Sequence, residues 1–525
     1  MKNTASNNIN DYYDMEKRSF LWYRVIPGVI TLVIATSPIW ASFLGIYDWL
    51  ILYLAFIATY ITYQSGLVVI ANFIGFKRMK RDMRRNWRGN LIKIDFKKLP
   101  DSNQIPSKLS DIYHVIFVPI YTEPFEDLDK TFEKIANQDY PYLKKVIISL
   151  AVEERAGKGA KEVVKMLKEK YEKRFYAIWD SFHPEGIPGE IIGDACANLR
   201  WAGESVSSKL KDLEIDSQNV IFTKFDADTW IHEKFLSALT YKYLKSPRRT
   251  SKFFSPAILI YSNNYWRVPS ITRMFSAALT LGVLSEWVAM RKSKQTFSCY
   301  CANFKLLEDM NYWDASTGAE DTYFYWNALL HKDGDFEGVE FYLPVTMDAV
   351  EGKDRISSLK SLYKQQLRWG WGVLIMCIAL QGMAKNRKIS LIRKLDRFMV
   401  LFRAYNFFLT MSILLSFSMP LLTLINRELE FSSTSYLLPR IISIMLTISM
   451  LFQIPQKYFI YKYYGAPPKE SSIFFKAWWW TLESLVTIVN VWTYYLIPKV
   501  QAQFELTIGK DRKKFFVSSE GKTEK

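Results

Sequence analysis

Asp226 and Asp228 stand one residue apart, directly after an apolar run, 220–225, that the sequence predicts as a buried strand. A carboxylate pair at the C-terminal end of a strand suits a hard divalent cation that is also held by a phosphate. Glu320 and Asp321 stand side by side farther along and can supply a base. Gln365, Gln366, Leu367, Arg368 and Trp369 follow. They supply an arginine fork and an indole. Each cluster has an ordinary explanation by itself: a solvated turn, a helix N-terminus that favours acids, an amphipathic stretch. Their order on one chain, between apolar segments, joins them into one predicted site for group transfer from a phosphorylated substrate.

The elements that must position these residues alternate. Strands are predicted over 112–119, 145–152, 175–179 and 220–225, and helices over 125–137, 160–171 and 196–213. Such alternation gives an α/β domain with a mostly parallel sheet. Ligands of such sheets bind beyond the strands' C-terminal ends. The loop Pro119-Ile120-Tyr121-Thr122-Glu123 and the turn Asp226-Ala227-Asp228 both fall there, so that edge is the expected nucleotide site. There is no Walker-type or Gly-rich dinucleotide fingerprint and no internal repeat.

The 525-residue chain is 49% hydrophobic and 16% aromatic, too apolar for an ordinary soluble protein of this charge. The runs 25–47, 49–76 and 404–426 carry no charge, and 431–456 carries only Arg440. Each is long enough to cross a hydrocarbon core. The first 20 residues are polar and no cleavage site follows, so the first run is expected as a retained anchor. Lys17, Arg18 and Arg24 precede the first run. Lys77, Arg78, Lys80, Arg81, Arg84, Arg85 and Arg88 follow the second. The positive-inside rule then places both flanks in the cytoplasm of a multi-pass protein of the cell (inner or plasma) membrane. The net charge of +17 fits attraction to anionic membrane lipids. No nucleic-acid partner is expected, because the basic cluster abuts a span.

The predicted organisation is a tail over 1–20, two spans over 21–76 and a cytosolic catalytic domain over 77–395. Two more spans follow over 396–463, then an interfacial amphipathic helix over 472–498 and a terminal motif with a disordered tail over 499–525. Lys476, Glu483 and Asn490 recur every seven residues and share one helical face, while Trp478, Trp479, Trp480 and Trp492 suit a membrane interface. Segments 271–290 and 370–380 are expected to lie likewise. Cys196, Cys299, Cys301 and Cys377 are expected as reduced thiols, with Cys299 and Cys301 alternating on a strand.

These residues resemble the membrane-bound family 2 glycosyltransferases, the group that contains bacterial cellulose synthase and hyaluronan synthase. Pro119 to Glu123 looks like that family's P-x-Y-N-E loop, and Asp226-Ala227-Asp228 matches its D-x-D. Asn311-Tyr312-Trp313-Asp314 looks like its G-G-W-D, Ala319-Glu320-Asp321 is similar to its T-E-D, and Gln365 to Trp369 matches Q-x-x-R-W. Phe504 to Lys510 resembles the F-x-V-T-x-K gating loop of processive members, with one extra residue. The resemblance implies a GT-A fold flanked by transmembrane and interfacial helices, and inverting transfer from a nucleotide sugar, UDP-linked in preference to GDP-linked. Asp228 and Asp226 would hold Mg2+ or Mn2+, Asp321 beside Glu320 would be the general base, and Tyr121, Glu123, Glu153, Asn198, Asp226, Arg368, Thr507 and Lys510 would bind the nucleotide. Gln365, Trp369 and Trp313 would meet a glycan or lipid-linked acceptor. The rival functions are single-sugar transfer to a lipid acceptor, and a catalytically silent pore or assembly subunit. Two positions depart from the pattern. Glu153-Glu154 replace the usual Asp-Asp pair, and Asp194 stands where the family tends to have a lysine near the phosphates. Arg200 or Lys224 would have to offset Asp194.

Overall fold

The computed structural model describes residues 18–102, 108–289, 294–427, 433–510 and 512–517. Its centre is one eight-stranded sheet. In chain order the strands are β1 (Tyr113–Ile120), β2 (Val146–Glu153), β3 (Ala177–His183), β4 (Val220–Lys224), β5 (Trp230–Ile231), β6 (Lys252–Ile260), β7 (Tyr300–Asn303) and β8 (Glu337–Thr346). Across the sheet the order is β3-β2-β1-β4-β7-β6-β8-β5. The β3, β2, β1 and β4 neighbours are parallel, as are β6 and β8, while β7 runs antiparallel to both β4 and β6. Valine and isoleucine dominate β2, and all but its last residue are buried, as a strand covered on both faces requires.

Helices cover both faces. Phe125–Ala136, Gly157–Tyr171 and Phe235–Lys245 lie against Ile116, Val118, Ile148 and Leu150. Cys196–Asp212 and Glu320–His331 lie against Val115, Phe117, Ile147 and Phe222. This is the expected GT-A-like α/β domain. The predicted strands hold to within a residue or two at most ends; β3 is displaced toward His183. Cys301 lies on β7 with Cys299 just before it, and both are buried in the same apolar layer.

Long apolar helices flank the domain. Asp48–Arg84, Leu391–Ile425 and Tyr436–Tyr464 are long and apolar enough to cross a membrane, and only 17–28% of each apolar window is covered by protein. Arg355–Lys385 passes the same test of length and hydropathy, but 72% of its window is buried inside the protein. The run 25–47, expected as one span, is bent: it forms two helices, Ser19–Ala35 and Ser37–Phe43, meeting at 59°, that pass the same test as a pair. Pro38 lacks the N–H needed to continue the first helix but is tolerated in the first turn of the second.

The helix Tyr47–Arg84 continues out of the apolar run and into the sheet. Its buried Asp82 accepts the Tyr342 N–H of β8 at 3.0 Å, and its main-chain oxygen accepts the Trp87 indole N–H at 2.8 Å. Gly75 lets the helix Ser270–Ala289 approach closely, because a Cβ there would lie 2.7 Å from Leu284. The stretch 472–498 is not one continuous helix. Ile473–Thr481, Val486–Asn490 and Ile497–Thr507 are joined by tighter and wider turns. Its polar stripe faces protein. Glu483 is fully buried 2.6 Å from Arg273 and 3.6 Å from Lys457, and Asn490 donates to the Ile271 carbonyl at 2.9 Å. Leu482, Leu485, Ile488 and Val489 are exposed on the other side. The tryptophans divide: Trp479 is buried beneath the Lys457 ammonium, while Trp480 is exposed. Residues 1–17, 511 and 518–525, which include most of the expected N-terminal tail and of the expected disordered C-terminal tail, lie outside the described residues.

Removing one partner of a buried ion pair leaves an uncompensated charge, at a cost of about 3–5 kcal/mol. Glu483→Ala should therefore lower the melting temperature in detergent clearly, and Arg273→Ala/Glu483→Ala should restore part of the loss.

Candidate active site

The turn after β4 is held from four sides. The Phe225 N–H donates to the Phe117 carbonyl of β1, and the Thr229 hydroxyl accepts the Asp226 N–H at 3.0 Å. Thr131 donates to the Ala227 carbonyl at 2.7 Å and Asn263 to the Asp228 carbonyl at 2.9 Å. Asp228 Oδ2 accepts the Asp348 N–H at 3.0 Å. Both carboxylates are thereby presented at the sheet's C-terminal edge.

Lys224 joins this turn to the second motif. It is the last residue of β4, its side chain is 1% exposed, and its Nζ lies 2.5 Å from both Asp226 Oδ1 and Glu320 Oε1. Glu320 and Asp321 begin the helix Glu320–His331. The chain reaches that helix through Gly318 and Ala319, both in the left-handed region (φ 68° and 55°). Glycine adopts that conformation freely; for Ala319 it is strained. The buried Asp194 carboxylate holds the strained residue, accepting the Ala319 N–H at 3.0 Å and the Cys196 N–H at 3.1 Å. Asp194 thus supports the backbone around the acids. Arg200 does not offset it, since it pairs with Glu204 at 3.1 Å. The cation facing Asp194 is Arg368, at the end of the helix Arg355–Gly370.

The acids differ in electrostatics. Burial pushes the Asp321 carboxyl up to about 7, and the neighbouring Glu320 carboxylate adds to the rise. Burial would raise Glu320 too, but Lys224 and then Arg368 outweigh it and hold Glu320 below the usual range. Burial works against the charge on Lys224, yet Asp226 and Glu320 keep it firmly protonated. Asp321 is therefore the acid tuned toward neutral pH, where a general base is most effective.

The other predicted residues divide. Glu153 and Asn198 line a cleft past β2 and β3, with Arg155, His183, Glu190 and Asp194 on its wall. Tyr121 and Glu123 close on each other, the Tyr121 N–H donating to Glu123 Oε2 at 2.6 Å. Arg155, which the sequence did not single out, stacks 4.2 Å over the Tyr121 ring and pairs with Glu153. Arg368, Gln365 and Trp369 share the end of one helix, and all three keep some exposure. Trp313, expected at the acceptor, is a core residue: it is fully buried, donates to the Tyr300 hydroxyl at 2.8 Å and meets Phe117 and Phe222 edge-on.

The expected gating segment is helical through Thr507. Thr507 seats against Gly28 of the first apolar helix, where an added Cβ would lie 2.1 Å from its hydroxyl, and Lys510 pairs with Glu505 at 3.4 Å. Neither reaches the acids, because the helix carries Thr507 to Gly28 and leaves Lys510 beside Glu505. Residues 512–517 come to the site instead. The Phe515 N–H donates to the Ile192 carbonyl at 2.7 Å, and the Ile192 N–H to the Lys513 carbonyl at 2.8 Å. The buried Phe515 ring rests 3.4 Å from where a Cβ on Gly318 would stand, with its centroid 6.3 Å from that of Trp371.

A divalent cation fits this donor set only with help from a substrate. Among the described residues no three His, Cys, Asp or Glu side chains close around a metal. Asp226 and Asp228 would hold such an ion by one or two carboxylates, leaving other positions to a diphosphate and water.

Residues 221–461 match the family model described as glycosyl transferase family group 2. The match starts in β4 and takes in both acid pairs and Gln365 to Trp369. The chain is a glycosyltransferase. Comparison with curated proteins gave no match. Among solved structures, the mannosyltransferase PcManGT from Pyrobaculum calidifontis, in complex with GDP-Man and Mn2+, is 14% identical at a TM-score of 0.41, covering 76% of this chain and 99% of its own. TarS residues 1–349 from S. aureus is 11% identical at a TM-score of 0.35, covering 76% of this chain and 92% of its own.

Two outcomes follow for this transferase. Lys224→Met leaves two carboxylates facing each other without their cation. It should cost about 3–5 kcal/mol of stability, visible in thermal melts, and Lys224→Met/Glu320→Gln should recover part of it. Gly193 has φ 81°, and a Cβ there would lie 2.1 Å from the Phe515 carbonyl oxygen. Gly193→Val should displace residues 512–517 and raise proteolysis after Lys510, whereas Gly159→Ala, in open space, should not.

Proposed function

We propose that this transferase moves a sugar with inversion from a nucleotide sugar, UDP-linked in preference to GDP-linked, to the growing end of a polysaccharide at the membrane. The observation that carries this is the Lys224 bridge. It draws the carboxylate pair after β4 and the acids at the start of Glu320–His331 into one cluster, although 92 residues separate Asp228 from Glu320 in sequence. The cluster lies at the sheet edge where open α/β domains bind nucleotides.

Tyr121, Glu123, Glu153, Arg155 and Asn198 would bind the nucleoside along the cleft beyond β2 and β3. Arg368 would pair with the diphosphate through its fork. A divalent cation held by Asp226 and Asp228 would neutralise the leaving diphosphate. Asp321 would take the proton from the accepting hydroxyl as that oxygen attacks the anomeric carbon. Glu320, fixed by Lys224, keeps a negative charge beside Asp321 and so preserves its basicity. Trp369 and Gln365 would orient the acceptor. Residues 512–517 would shield the cleft from water in this closed arrangement. The exposed long apolar helices suit a multi-pass membrane protein with its catalytic domain in the cytoplasm.

Screening nucleotide sugars in detergent with Mg2+ or Mn2+, with release of nucleoside diphosphate as the signal, tests this function. A ladder of long products is expected; a single addition would instead mark transfer to a lipid, and no turnover with any donor would mark a silent subunit. Asp228→Ala should lose metal-dependent nucleotide binding by on the order of a hundredfold. Asp321→Asn should bind the nucleotide normally and turn over about 10² to 10⁴ times more slowly. The base is the ionised form, so native turnover should rise with pH through about 7 and the residual activity of Asp321→Asn should not.

A further inference from the structure

Two apolar helices carry the same surface pattern at the end nearer the sheet. On the helix Tyr47–Arg84 one stripe runs Ile70, Phe73, Lys77, Lys80 and Arg84, and all five side chains are exposed. Steps of three and four residues keep them on one face. On the helix Gln453–Tyr464, Ile454, Tyr458 and Lys462 recur every four residues and are exposed likewise. Each stripe is apolar first and cationic last. The two helices meet at this level, with the Phe76 ring centroid 6.3 Å from that of Phe459 and 5.8 Å from that of Tyr463. The uncharged run ends at Phe76. At 1.5 Å per residue, Lys77 and Lys80 stand within about 6 Å of that end, the depth of one headgroup layer.

The cations that end these stripes rest on rings, not on acids. Lys77 lies 4.3 Å from the Phe73 ring centroid, Lys80 4.7 Å from that of Phe76 and Lys462 5.2 Å from that of Tyr458. Among the described residues no carboxylate pairs with them or with Arg84, whereas the neighbouring Arg81 meets Asp82 at 3.1 Å. The rings hold the lysine stems while the charged heads stay accessible at the edge of the apolar surface. A phospholipid presents the complementary order, hydrocarbon against the apolar part of each stripe and an anion against the cations. A soluble polyanion would meet the charges and leave the apolar part bare. The same helix is bound to the catalytic domain: Arg78 donates to the Tyr342 hydroxyl of β8 at 2.6 Å, and Lys234 donates to the Met83 carbonyl at 2.8 Å. A headgroup held here therefore lies at the joint between the apolar helices and the sheet.

We propose that Lys77, Lys80, Arg84 and Lys462 form a seat for the phosphate headgroups of anionic phospholipids, localised at the ends of two adjoining helices rather than spread over the basic surface of the protein. This rests on the reading that both helices cross the membrane, and it is independent of the sugar that the active site transfers. The seat fixes the joint between the apolar helices and the sheet against the membrane surface.

The test is binding of fluorescent phosphatidylglycerol and phosphatidylcholine, with identical acyl chains, to the full-length protein in detergent. At low salt phosphatidylglycerol should bind more tightly by on the order of tenfold to a hundredfold, since each cation at the headgroup level adds to the attraction. The preference should shrink as salt rises. Lys77→Gln/Lys80→Gln/Arg84→Gln/Lys462→Gln should remove most of the preference and melt like the native protein, and Lys77→Arg/Lys80→Arg/Lys462→Arg should keep it. Lys385→Gln/Arg387→Gln/Lys394→Gln, which neutralises the basic flank of the helix Leu391–Ile425, should keep it too. Equal binding of the two lipids overturns the seat. So does a preference that survives the fourfold variant, or one that falls as far in the flank variant, which would mark diffuse attraction. A single-stranded oligonucleotide that displaces phosphatidylglycerol would assign the face to nucleic acid and overturn the seat as well. Binding of neither lipid would contradict the membrane reading itself, so the two failures give different results.

Discussion

The acid cluster at the sheet's C-terminal edge depends on one buried ammonium. Lys224 lies in a strand whose other residues are apolar or small, and it is almost completely excluded from solvent. A lone charge there would be prohibitive. Two carboxylates at 2.5 Å make it tolerable, and in turn it lets them sit close together. Three features follow from that contact: Asp226 is fixed beside Asp228, Glu320 stays ionised, and the start of Glu320–His331 is tied to the end of β4. The raised Asp321 follows too, since its nearest companion is a charge that Lys224 sustains. A glycosyltransferase needs one acid that releases its proton near neutrality among others that remain charged, and environment divides those roles here.

Support for the cluster comes from backbone that does not relax. Ala319 is in the left-handed region, and Asp194 stabilises it there through its N–H. A carboxylate in the place where a phosphate-binding lysine was expected is thereby explained: on the wall of the cleft beyond β2 and β3 it is held by main-chain N–H groups and faces Arg368. The same loop accepts residues 512–517 along Ile192, which sets them beside Gly318 and Asp194.

The domain and the apolar helices form one mechanical unit. Tyr47–Arg84 runs from the apolar region to β8, and Ser270–Ala289 is clamped both to it at Gly75 and to the segment after Ser472 through Arg273 and Glu483.

Much of the sheet was legible from sequence, because buried parallel strands are continuous apolar runs and helices between them repeat at 3.6 residues. Asp226, Asp228, Glu320, Asp321, Arg368 and Trp369 could be singled out as candidates for a related reason: short motifs at element ends carry their chemistry in residue type and spacing. Sequence could not show which buried partner each group has, because those partners are distant in the chain. Trp313 reads as an exposed indole until Tyr300 and Phe117 surround it. Thr507 and Lys510 read as a lid until the helix Ile497–Thr507 carries them to Gly28 and Glu505. The seven-residue stripe of Lys476, Glu483 and Asn490 was expected as one polar face, but only tertiary contacts show that Glu483 and Asn490 turn inward to Arg273 and the Ile271 carbonyl. Periodicity specifies a face; what covers that face depends on long-range packing, and for charged residues the packing decides whether they are solvated, paired or left awaiting a ligand.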